Sequence, residues 1–171
     1  MHIKTKQLAF LGVLAGVSVI LMFLGMVIES NTLFLTAAAS FLIGVAVIGA
    51  GIVPGLIFYF VCLITSLILL PNKLYCLTYG AFGLYILIRE FVRAHTDKKV
   101  LIWLLRYLIF NMIYIPLLIL APRLFISRPL STGIVVVCMI GGQLVLLVMD
   151  IAYEKFMKLD LTKRLIMQLK G

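Results

Sequence analysis

From Ser30 to Asn72 this sequence carries no charged side chain. The run is about twice the ~20 residues that a helix needs to cross a bilayer, and a water-soluble domain has no interior large enough to hide it. The rest of the 171-residue chain is of the same kind: 64% hydrophobic and 12% charged, with mean hydropathy +1.24. Average globular chains are about half apolar and about a quarter charged. Lipid is the solvent that fits. In lipid every backbone polar group must be satisfied within the chain, by helices or by a closed barrel. Barrel strands alternate polar and apolar with period two. Here the apolar runs are unbroken, so the expected fold class is an all-α membrane protein.

Charges and turn residues divide the chain into six expected spans at about 8–28, 33–49, 52–70, 74–88, 100–120 and 132–153. The long uncharged run breaks at Gly49-Ala50-Gly51, with Pro54-Gly55 just beyond. Residues 1–153 form the transmembrane domain and 154–171 a cytoplasmic tail. An N-terminus inside the cell leaves Lys73, Arg123 and Arg128 outside and every other Lys and Arg inside, as the positive-inside rule asks. The expected location is therefore the cell membrane, multi-pass, with both termini cytoplasmic. The tail mixes Phe156, Leu159, Leu165, Ile166 and Leu169 with Lys and Asp. It reads either as an amphipathic helix on the membrane surface or as the solvated end of the sixth span.

The net charge of +9 does not indicate a nucleic-acid partner, because the basic residues sit at the ends of apolar runs and form no solvated patch. Cys62, Cys76 and Cys138 are scattered, with no CxxC spacing and no nearby histidine, so neither a metal nor a disulfide is expected. His2 and His95 fall in cytoplasmic segments, no catalytic motif is present, and Arg89-Glu90 reads as a boundary ion cluster. The reading is of a protein that is not an enzyme and uses no cofactor. Glu29 and Asp150, the acids near spans, lie at span ends, so the chain has no mid-membrane acid for ion coupling of its own.

Polar side chains inside spans must pair or face a cavity. Asn31, Thr36, Asn72, Tyr75, Tyr79, Asn111, Tyr114 and Gln143 gather toward the outer side and are the candidate ligand-binding residues. They form either an outward-opening pocket or a set of interhelical hydrogen bonds with an aromatic belt. In the first span Ala9, Gly12 and Gly16 make a small-residue stripe of GxxxG type, for close approach of a helix from this chain or from a partner.

The opening Lys4-Thr5-Lys6-Gln7-Leu8-Ala9, Ser40 to Gly44, Gly51-Ile52-Val53-Pro54-Gly55 and Leu67 to Asn72 carry a family likeness. With six spans over this length, the chain resembles the substrate-binding (S) components of energy-coupling-factor (ECF) vitamin transporters. The resemblance implies capture of a vitamin-like small molecule from outside. It also implies energy from a partner membrane coupling subunit and an ATPase pair. Ala9, Gly12 and Gly16 would dock on the coupling subunit, where the family usually has alanines. The runner-up is a non-enzymatic scaffold of cell-shape or division machinery of the MreD type. That type usually carries an acid near the position of Ile64-Thr65-Ser66.

Overall fold

A computed structural model of the chain describes residues 5–95, 99–125 and 132–170. Lys4 and Arg128, used above to orient the chain, lie outside them. The described residues are helical throughout: α1 Thr5–Val27, a single 3-10 turn Glu29–Asn31, α2 Thr32–Ala50, α3 Ile52–Leu69, α4 Lys73–His95, α5 Lys99–Phe125, α6 Thr132–Lys158 and α7 Asp160–Lys170. Three of them, α1, α2 and α3, together with Val137–Lys158 of α6, are long and apolar enough to cross a membrane. In α5 the described apolar segment is the shorter Val100–Pro116. Helix α4 has the length, but tyrosines, threonine and the Arg89-Glu90 pair dilute it.

Local chemistry explains each break. Gly51 sits at φ 106° and ψ 171°, a conformation that any side chain would strain, and its N–H donates to the Val47 carbonyl as α2 ends. Pro54 occupies the first turn of α3, where its missing N–H leaves nothing unpaired. Gly55 lets α3 leave α2 at close quarters, since a Cβ there would lie 2.3 Å from Val47 Cγ2. Lys73 Nζ donates to the carbonyls of Leu67 and Leu70 and closes the C-terminus of α3. Asn72 Oδ1 accepts from the Leu74 N–H and starts α4. At the first turn, Thr32 Oγ1 donates to the Gly25 carbonyl (2.7 Å) and ties the start of α2 to the end of α1.

Helix α2 is the hub. It packs against α1, α3, α4, α6 and α7, and nearly every residue from Thr36 to Gly49 is buried. Its small residues make this possible. In lipid, helices associate by close packing rather than by escape from water, so alanine, glycine and serine favour contact. A Cβ on Gly44 would lie 1.9 Å from the Tyr153 hydroxyl, and one on Gly83 would meet Ile43 and the Tyr59 ring. Helix α1 faces the hub with Leu11, Leu14, Ser18, Met22 and Gly25, which recur every three or four residues.

Two features depart from the sequence reading. Helix α4 continues past residue 88 to His95, because Arg89 and Glu90 are buried and paired inside the bundle rather than solvated at its edge. The tail is a helix, as one of its two readings has it, but it is packed on the bundle and not free on a surface. It breaks at Leu159 and returns as α7 against α2 and α1, with Thr162 buried and Leu165 and Ile166 joining the core.

Gly51→Ala should destabilise the fold by about 1–3 kcal/mol, the usual cost of a strained backbone conformation. Gly12→Ala, whose new Cβ meets nothing within 4 Å, should not. Thermal unfolding of the detergent-solubilised protein distinguishes them.

Candidate functional site

The helix registers bring the charged residues together. Helices α4 and α6 run parallel, so Tyr85 meets Asp150 and Arg89 meets Glu154, both 65 residues apart. Helices α5 and α6 run antiparallel, which sets Arg106 against Asp150, Asn111 against Gln143 and Tyr114 against Cys138. A Cβ on Gly142 would lie 2.4 Å from the Tyr114 ring, so glycine is what lets α5 and α6 meet there.

Arg89, only 2% exposed, is the centre of the cluster. Its Nη1 lies 3.2 Å from Asp150 Oδ1 and its Nη2 donates to Glu154 Oε1 at 3.1 Å. Its guanidinium lies over the Tyr153 ring, 4.4 Å from the centroid. Tyr153 in turn donates its hydroxyl proton to Glu90 Oε1 (3.0 Å). Arg106 Nη1 reaches Asp150 Oδ2 (3.2 Å) and Glu154 Oε1 (3.4 Å), and the Tyr85 hydroxyl donates to Asp150 Oδ1 (2.9 Å). Two arginines thus share two carboxylates. A charge removed from water is kept only where such partners offset its desolvation.

Toward the α5 N-terminus, α5 and α6 leave between them a cleft of about 450 Å³. Tyr85, Trp103, Arg106, Tyr107, Gln143, Asp150 and Glu154 are among its lining residues. The volume is within the range of small-molecule sites. Gln143 Oε1 and the Nε of both arginines are buried without hydrogen-bond partners. The arrangement can hold three helices in fixed register and can offer donors and acceptors of both signs to a ligand.

The eight candidate ligand-binding residues do not converge on one point. Asn111 and Gln143 bond each other (2.8 Å), and Tyr114 donates to the Cys138 carbonyl (2.7 Å), so these three join α5 to α6. Thr36 is buried and donates to the carbonyl of Thr32 on its own helix. Asn31 is exposed at the 3-10 turn, Asn72 starts α4, and Tyr75 is half-buried on the core. Tyr79 is fully buried, with its ring stacked on Tyr59 and its hydroxyl beside Cys62 and Ser18 without a closed hydrogen bond. Near these, α3 and α4 enclose a mainly apolar groove of about 510 Å³, lined by Tyr59, Leu63, Lys73, Cys76 and Gly80 among others. Ala9, Gly12 and Gly16 are exposed, and a Cβ on either glycine would meet nothing within 4 Å.

Sequence reading missed Arg106, Tyr85 and Tyr153 as parts of one site. A signal was present: Tyr85/Arg89 on one helix and Asp150/Glu154 on another repeat the same four-residue spacing, which puts each pair on one face. Comparison with known protein families, curated proteins and solved structures gives no match to this chain.

Arg89→Gln should destabilise the protein by about 3 kcal/mol, because it removes both charge-assisted contacts of a buried guanidinium while Arg106 still holds Asp150 and Glu154. Lys163→Gln removes only the exposed Lys163–Asp160 pair and should change stability by less than about 1 kcal/mol. Tyr114→Phe should fall between them, at about 0.6–2 kcal/mol for one interhelical hydrogen bond. Unfolding midpoints of the three variants in the same detergent check this order.

Proposed function

We propose that this protein is the membrane-embedded substrate-capture subunit of an ECF-type transporter. In this reading α1 to α6 are six spans, both termini are cytoplasmic, and a vitamin-like small molecule enters from outside. The observation that carries the reading is the bare face of α1. The helix buries Leu11, Leu14, Ser18 and Met22 against the bundle and turns Ala9, Gly12 and Gly16 away from it. A stripe without side chains lets a second backbone approach closely, which is how membrane helices dock. Among the described residues nothing lies within 4 Å of a Cβ placed on either glycine, which favours a separate membrane coupling subunit with its ATPase pair. The groove between α3 and α4 supports the same reading, since it lies toward the C-terminus of α3 and the N-terminus of α4, the outer ends in this orientation, and suits a small, largely apolar ligand.

The test is capture from the native membrane. Wild-type protein should recover a membrane partner together with ATP-binding subunits. Gly12→Leu with Gly16→Leu should lose them while the melting temperature stays unchanged, because both positions are exposed and a Cβ there meets nothing within 4 Å. Recovery of cell-wall or division proteins without ATP-binding subunits would instead establish the scaffold reading.

A further inference from the structure

The cleft at the cytoplasmic end of α5 and α6 does not stand alone. It shares Tyr107 with a second groove of about 560 Å³, which runs along α5 from Leu104 to Pro116 and is lined almost wholly by apolar side chains. At 1.5 Å per residue that track is about 18 Å long. Half of a ~30 Å hydrocarbon core, the depth of one acyl chain, is shorter. A polar recess at one end of a helix and an apolar track leading from it toward the bilayer centre match the two halves of a phospholipid.

The charges of the recess select the head group. Asp150 and Glu154 repel a simple anion, and Arg106 in the lining, with Arg89 buried behind the same carboxylates, repels a simple cation. A head that carries both signs fits. Both carboxylate contacts of Arg106 are made by Nη1, which leaves the Nη2 end of the fork for a phosphate. Glu154 is half exposed, and its ion pairs use Oε1, which leaves Oε2 for an ammonium. Trp103, 67% exposed, sits at the rim, where indoles favour the head-group level. Its ring lies parallel to that of Tyr107 (9°) with the centroids 6.3 Å apart, too close to admit a trimethylammonium between the two faces. The pair therefore forms no cage for a quaternary ammonium, and a carboxylate acceptor calls for an ammonium that has N–H donors.

We propose that recess and track together bind one phospholipid with a phosphoethanolamine head, its phosphate on Arg106, its primary ammonium on Glu154 and one acyl chain along α5. This site is independent of the transport reading and of the face of α1.

The experiment uses the full chain reconstituted in nanodiscs of mixed phosphatidylethanolamine, phosphatidylcholine and phosphatidylglycerol, then released for native mass spectrometry. One phosphatidylethanolamine should stay bound, preferred about tenfold over phosphatidylcholine, the effect of a single charge-assisted hydrogen bond. Glu154→Gln and Arg106→Gln should each bring the retained lipids back to the composition of the mixture, while Lys163→Gln should not. Should Arg106→Gln fail to fold, Glu154→Gln alone decides, since its side chain stands half in solvent. Equal retention of the choline and ethanolamine lipids, or unchanged retention in Glu154→Gln, would overturn the proposal. Soluble phosphoethanolamine displacing the lipid at equal concentration would overturn the lipid as the source of the head group.

Discussion

A guanidinium surrounded by apolar helices persists only where carboxylates and ring faces replace its water, and Arg89 has both. That requirement does more than neutralise a charge. Asp150 and Glu154 lie one helical turn apart on α6, so the two ends of the Arg89 fork fix both the height and the rotation of α6 against α4. Arg106 enters the same carboxylates from the other side and fixes α5. A lipid-facing bundle lacks the strong drive of water exclusion, and its helices can slide by a turn at small cost. Here a slide would separate three charged helices from their partners at once.

The two halves of the bundle are held by different means. Around α2 the contacts are close and small: glycines and alanines bring backbones together, and Thr36, Ser40 and Ser66 donate to carbonyls of their own helices. Between α4, α5 and α6 the contacts are longer and polar: ion pairs, the Asn111–Gln143 bond and the Tyr114 hydroxyl. Dense packing brings the backbones together against α2 and leaves the apolar groove further out, between α3 and α4. Polar bridging holds helices apart at fixed spacing and leaves a cleft between them. The recess with mixed charge is therefore in the second half.

Much of the fold was legible because hydropathy and turn chemistry act locally. Gly51 takes the positive φ at the break expected from Gly49-Ala50-Gly51, and Asn72 and Lys73 close one helix and open the next where the charge-free run ends. The extent of α4 was not legible, because Arg89-Glu90 looks like a membrane boundary until the partners on α6 are placed beside it. Assigning Arg106 to the inner side by charge counting concealed that it is largely buried. The polar residues pose the same difficulty. A sequence shows that Asn111 and Gln143 lie deep, but only the antiparallel register of α5 and α6 shows that they satisfy each other.

Helix α7 has a consequence for assembly. It is the last helix among the described residues, yet it rests on α2 and α1, the first two. During synthesis the faces of those two helices that meet α7 must wait for it until more than a hundred further residues have been made. The contact that covers the opening hairpin therefore spans almost the whole described chain, and it can form only after every intervening helix has been made.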